Sequence, residues 1–102
     1  MKWMKIPTDL LTRPGIARLY KKHDGSAYVL AWLELVGLAC RLGQDGRLCT
    51  PSGEGLDTAA LARGMGETAF FTENAVRTFI GAKLAYRDEK QILCIRDWHT
   101  YV

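Results

Sequence analysis

The spacing of apolar residues changes several times along the chain, and each change predicts an element. Trp3, Met4 and Ile6 around Lys5 predict a short strand or an extended arm, ended by Pro7 because proline cannot donate to a ladder. Ile16, Leu19 and Tyr20 recur at i, i+3, i+4 and predict a first helix over 13–22. Thr12 or Arg13 precedes Pro14 at its start, and Lys21, Lys22 and His23 close it where the helix dipole favours cations. A second helix runs from a cap at Asp24 or Ser26 to about Leu42 and stops at Gly43. Leu30, Trp32, Leu33, Leu35, Val36 and Leu38 point nearly all round it, with only Glu34 and Arg41 marking a wet side. Such a helix is either central to its fold or covered by another chain. Leu30, Gly37 and Leu38, beside that wet stripe, are therefore candidate interface positions. The stretch 27–42 is shorter than the roughly 20 apolar residues of a membrane span, so a core helix is expected.

The second half is more broken. Gln44, Asp45 and Gly46 predict a turn, 47–50 a short strand with Leu48 as its apolar member, and 51–55 a polar, glycine-rich loop. Asp57 caps a third helix over 58–63. Gly64, Met65 and Gly66 form the next turn, and Thr68 caps a fourth helix over 69–83. The apolar runs 84–87 and 92–95, joined by a charged tip at 88–91, predict a hairpin. Val76, Phe79 and Leu84 carry the apolar spacing from the fourth helix into it, and Trp98 and Tyr101 are expected to pack back. Helix, helix, strand, helix, tight turn, helix, hairpin is the winged helix-turn-helix order, in which the helix after the turn enters a major groove. The expected fold is mostly α with a small β-hairpin, a single winged helix-turn-helix domain over 1–102.

Composition agrees with one ordinary domain: 102 residues, 48% hydrophobic and 25% charged. A chain of this size buries enough surface to fold without metal or disulfide staples. Lys plus Arg number 14 and Asp plus Glu 11, a net +3 that permits a polyanion partner without demanding one. Residues 1–51 hold 8 basic and 4 acidic side chains, net +4, and residues 52–102 hold 6 and 7, net −1. The surplus sits at Lys2, Lys5, Arg13, Arg18, Lys21 and Lys22, away from the helix expected to read DNA. A solvated helix face accounts for that run at least as well as DNA contact does.

If the fourth helix starts at Thr68, its outward face holds Ala69, Phe70, Glu73, Asn74, Arg77 and Gly81. Arg77 is placed to reach guanine and Asn74 adenine or a phosphate, while Lys83, Arg87 and Lys90 at the helix end and hairpin are placed to hold phosphates. Glu73 and Phe70 count the other way: a carboxylate repels phosphate, and an exposed phenylalanine suits a protein surface.

Other chemistry is thin. Cys40, Cys49 and Cys94 are odd in number and form no Cys-x-x-Cys pair, which predicts a reducing cytosol. Only His23 and His99 could join them at a metal, and neither is near a cysteine in sequence. Cys49 and Cys94 are expected to pack as small apolar groups. Asp88 and Glu89 sit at a hairpin tip, where solvation accounts for them. No nucleophile, base or metal set converges, so neither an enzyme nor a cofactor is expected.

A family resemblance rests on three stretches. Lys2-Trp3-Met4-Lys5-Ile6-Pro7-Thr8-Asp9 resembles the start of the phage replisome organiser N-terminal domain. Trp32-Leu33-Glu34-Leu35 with Leu38-Ala39 resembles that family's long apolar helix, and Ile92-Leu93-Cys94-Ile95-Arg96-Asp97-Trp98-His99 its last wing strand and terminal tryptophan. DnaD-type primosomal proteins share this winged domain, where it is associated with self-assembly while a separate C-terminal domain carries much of the DNA binding. The resemblance implies a role in replication initiation, as the N-terminal part of a longer protein. The partners it implies are DNA, bound weakly, a second copy of the chain, and replicative helicase-loading proteins, with no membrane. An oligomerisation or docking module without DNA contact, or a small phage transcriptional regulator, fits the same residues.

Overall fold

The computed structural model describes residues 3–102; Lys2, part of the expected basic arm, lies outside them. Among the described residues there are four helices, α1 (Pro14–Tyr20), α2 (Gly25–Leu42), α3 (Thr58–Met65) and α4 (Ala69–Gly81). They are followed by an antiparallel hairpin of β1 (Ala85–Arg87) and β2 (Leu93–Ile95), and single 3₁₀ turns at Leu10–Thr12 and Trp98–Thr100 flank the whole. The result is a mostly helical fold with one small hairpin.

The all-round apolarity of α2 has the first of its two explanations. Ala31, Trp32, Leu35, Val36 and Ala39 are enclosed completely, so α2 is the axis of the core even though its length and hydropathy would also suit a membrane span. The Trp32 ring meets Phe79 of α4 edge-on at 5.1 Å between centroids and Tyr101 at 6.2 Å. Its Nε1 donates to the Tyr101 hydroxyl at 3.1 Å. Tyr101 therefore packs back as expected, and one indole joins α2, α4 and the C-terminal segment.

The α1–α2 corner differs from expectation. Neither Asp24 nor Ser26 caps α2; Asp24 is itself left-handed at φ 59°, with no side-chain cap. A Cβ on Gly25 would lie 2.0 Å from the Tyr20 carbonyl oxygen, so α2 can begin this close to α1 only at a glycine. α1 stops at Tyr20, two residues earlier than expected. Tyr20 is 54% exposed, leaving Ile16 and Leu19 as the buried stripe. The arm at 3–7 forms no strand, and the Lys5 amide donates to the Tyr101 carbonyl at 2.8 Å.

Asp57 and Thr68 are the caps the sequence predicts. Asp57 Oδ1 accepts from the Ala60 amide at 2.8 Å and Thr68 Oγ1 from the Phe71 amide at 3.1 Å. The turn between α3 and α4 is tighter than expected, because Gly64 and Met65 continue α3, with Met65 buried, and only Gly66, at φ 76°, reverses the chain. α4 ends at Gly81 rather than 83. Lys83 takes φ 62°, and the Leu84 amide closes the helix on the Phe79 carbonyl at 3.0 Å.

The hairpin pairs Ala85 with Ile95, Tyr86 with Cys94 and Arg87 with Leu93. The segment 46–49 runs along the other edge of β2, where the Leu48 amide donates to Leu93 and the Ile95 amide to Gly46. The expected 47–50 strand is thus two isolated bridges, Arg47 with Cys94 and Cys49 with Gly55, because the chain leaves β2 and reverses just after Thr50.

Asp88 is not simply solvated. Its Oδ1 accepts from the Lys90 and Ile92 amides, and Oδ2 accepts from Arg47 at 2.9 Å. The Ile92 amide first, and Arg47 after it, hold this carboxyl below its ordinary value against the opposing pull of desolvation. A carboxyl depressed in the fold stabilises above its unfolded pKa and loses that contribution as pH falls through the folded one. Exchange of the Ile92 amide should therefore speed up as pH falls below 3.8, after correction for intrinsic exchange. Asp88→Ala should show the fast rate at every pH while α2 amides keep their protection.

Candidate nucleic-acid interface

The basic residues of α1 and the outward face of α4 meet, contrary to the separation expected from their positions in the chain. Arg18 of α1 and Lys22 just beyond it line one cleft with Arg77, Thr78, Gly81 and Ala82 of the α4 end. Arg18 Nη2 donates to the Ala82 carbonyl at 3.3 Å and ties the two helices together there. The net +4 of the first half is thus carried to the end of α4 by packing. Three cations around one shallow cleft make a surface that attracts phosphate groups.

The remaining candidates divide. Arg77 is exposed, and its Nη2 reaches Glu73 Oε1 at 3.4 Å; both side chains are mostly in solvent, so a phosphate can displace that partner at little cost. Asn74 is half-buried, so its side chain is only a partial member of the face; its backbone carbonyl accepts from Thr78 Oγ1. Lys83 is exposed beyond the helix end and lines a neighbouring cavity rather than the cleft. Arg87 Nη1 donates to the Gln91 carbonyl across the hairpin tip, so part of its donor set is used within the hairpin. Lys90 and Lys21 are exposed and lie outside the cleft.

Of the interface candidates, Leu30 at 59% and Phe70 at 78% exposure are open to solvent. Gly37 is half-buried. Leu38 is a correction: it is buried in the core, its side chain lying over Gly64 where α3 crosses α2. Tyr28 of α2 stacks on Phe71 of α4 at 5.5 Å between centroids, an α2–α4 contact next in sequence to Phe70 that apolar spacing did not reveal.

No family model, no curated protein and no solved structure matches the chain. Any functional reading therefore rests on the residues and their geometry.

Three further groups bear on the chemistry the fold leaves available. Burial pushes the Cys40 and Cys94 thiols up, which keeps them protonated and unreactive inside the core. Glu34, expected on the wet side of α2, is half-buried, and its Oε1 is shut from solvent with no hydrogen-bond partner among the described residues. Burial, and secondly the Glu67 carboxylate from the α3–α4 turn, push its pKa up to about 7. Its proton is held in the fold where the unfolded chain would release it near 4.5. Stability is therefore complete below 4.5 and declines as pH rises through 7. Glu34→Gln should match wild type at pH 4 and exceed it at pH 8, by about 1 kcal/mol once solvent screening on the open side is allowed for. Thermal melts at the two pH values measure this.

Proposed function

We propose that the chain is a winged-helix domain of the phage replisome organiser type, which binds DNA weakly during replication initiation. The observation that carries the DNA half is the cleft in which Arg18 and Lys22 join Arg77 on the outward side of the helix that follows the turn. The winged-helix half is supported by the capped pair α3 and α4 around Gly66, by the hairpin after α4, and by the 46–49 segment on the free edge of β2. In that arrangement α4 keeps Phe70, Glu73 and Arg77 in solvent and the hairpin follows it directly, which favours a groove-reading helix with its wing. The replication setting rests on the resemblance in the tryptophan-bracketed stretches at the two ends and in α2.

The cleft binds through phosphates, so affinity should be modest and strongly salt-dependent. Fluorescence anisotropy with duplex DNA should give a slope of log K against log salt of about −3, from three displaced counterions at roughly 0.9 each. Binding without salt dependence, or none at low salt, would remove the proposal.

A second reading, a self-associating module without DNA contact, is favoured by Leu30 and Phe70 in solvent beside the Tyr28–Phe71 stack. Light scattering over a concentration series separates it from the first, since a monomer at every concentration leaves those residues without that role.

A further inference from the structure

Next to the α1–α4 cleft, sharing Arg18 and Ala82 with it, lies a cavity of about 260 Å³ between α1, the α4–β1 turn and the C-terminal segment. Arg13, Arg18, Lys83 and Arg96 all line it, and Asp97 is its single acidic lining residue. Arg13 has an acidic partner, Asp9 at 3.0 Å. Among the described residues no ion pair engages Arg18, Lys83 or Arg96; the Arg96 guanidinium stands over the Tyr86 ring at 5.1 Å. The cavity is smaller than the roughly 300–1,000 Å³ of pockets that enclose drug-sized molecules, and large enough for one tetrahedral oxyanion with its waters.

The construction of the walls keeps these cations together. A Cβ on Gly15 would lie 2.7 Å from a Leu84 methyl and 3.0 Å from the Ala82 carbonyl, so α1 reaches the α4–β1 turn only because residue 15 has no side chain. Lys83 occupies the left-handed position after a helix end, at φ 62°, where glycine is the usual residue. A lysine there accepts backbone strain, and Lys83 is part of the cavity wall.

We infer that the Arg13–Arg18–Lys83–Arg96 cavity is a phosphate-binding site, taking one phosphate group through guanidinium forks and the Lys83 ammonium. Arginine suits this ligand because its planar donor pair matches two phosphate oxygens. The source of the phosphate can be a nucleic-acid backbone or a free phosphomonoester. The backbone assignment rests on the DNA reading above, since a strand lying in the Arg18–Lys22–Arg77 cleft would cross Arg18 into the cavity.

The test uses the full chain with ¹⁵N labels and inorganic phosphate, balanced with chloride at constant ionic strength. Saturable shifts at the Lys83, Leu84 and Asp97 amides are expected, with affinity reduced roughly tenfold in Lys83→Gly/Arg96→Gln. Lys83→Gly relieves the left-handed strain, so that variant should melt no lower than wild type and loss of folding cannot mimic loss of the site. A backbone phosphate held in the cavity adds about 1 to the slope of about −3 that the cleft alone gives, and the same double variant should remove that addition. Absence of saturable phosphate shifts overturns the site. Phosphate saturation with wild-type DNA affinity and slope in the double variant overturns the backbone source alone and supports a phosphomonoester. Phosphate saturation in a wild-type chain that binds no DNA overturns the DNA reading and leaves the phosphate site standing.

Discussion

Trp32→Ala should lower stability by about 3–5 kcal/mol, the range for emptying a large aromatic site in a core. Three losses combine. The fully enclosed indole leaves a cavity among Leu35, Val36 and Phe79, which relax only partly because each is fixed by its own helix. The Phe79 and Tyr101 rings lose their edge contacts. The Tyr101 hydroxyl, which accepts the indole N–H inside the fold, is left without that partner. For a domain whose total stability lies in the ordinary range of about 5–15 kcal/mol, the variant stands near the edge of unfolding at room temperature. Urea denaturation followed by circular dichroism measures it. Trp32→Phe should cost less, since most of the volume stays and mainly the donor is lost. Trp3→Ala, at an exposed position, should change stability by no more than about 0.5 kcal/mol.

Arg18→Glu/Arg77→Glu should reduce DNA affinity by at least about 100-fold at low salt. Each change removes a phosphate contact and puts a repelling carboxylate in its place, and the two positions share one cleft. The effect should shrink as salt rises, because the lost contribution is electrostatic. Neither side chain contributes to the core, so the melting temperature should change little, apart from the Arg18 tie to the Ala82 carbonyl. Glu73→Gln supplies the opposite sign. It releases Arg77 from the 3.4 Å pair, removes a negative charge from the same face, and should strengthen binding by about two- to fivefold. A set of variants that weakens and strengthens binding as charge dictates cannot be explained by damage to the fold.

The contrast between these two predictions shows what the sequence makes legible. Trp32, Leu35 and Val36 could be read as core because a helix whose wet side is only Glu34 and Arg41 has few other places to go. Asp57 and Thr68 could be read as caps because capping is a local exchange between a side chain and amides three residues on. The hairpin could be read because its two runs are apolar and its tip is charged. Contacts between distant elements were not legible. Arg18 and Arg77 lie on helices whose own periodicities give each a wet face and say nothing of which faces adjoin; the Gly15–Leu84 approach decides that. Glu34 misled for the same reason. A carboxylate on α2 marks solvent unless another element arrives, and here the α3–α4 turn brings Glu67 beside it. Leu38, judged from its own helix, looked available to a partner until α3 crossed over it at Gly64.

If the cleft between α1 and the end of α4 is the surface that meets DNA, chemical-shift mapping of the ¹⁵N-labelled chain with a short duplex at low salt will locate it there. The largest shifts should fall at Arg18, Lys22, Arg77, Thr78 and Gly81, with smaller ones along the hairpin, and should fade as salt is added. Shifts centred on Leu30 and Phe70, or none at DNA concentrations well above the protein's, would contradict it.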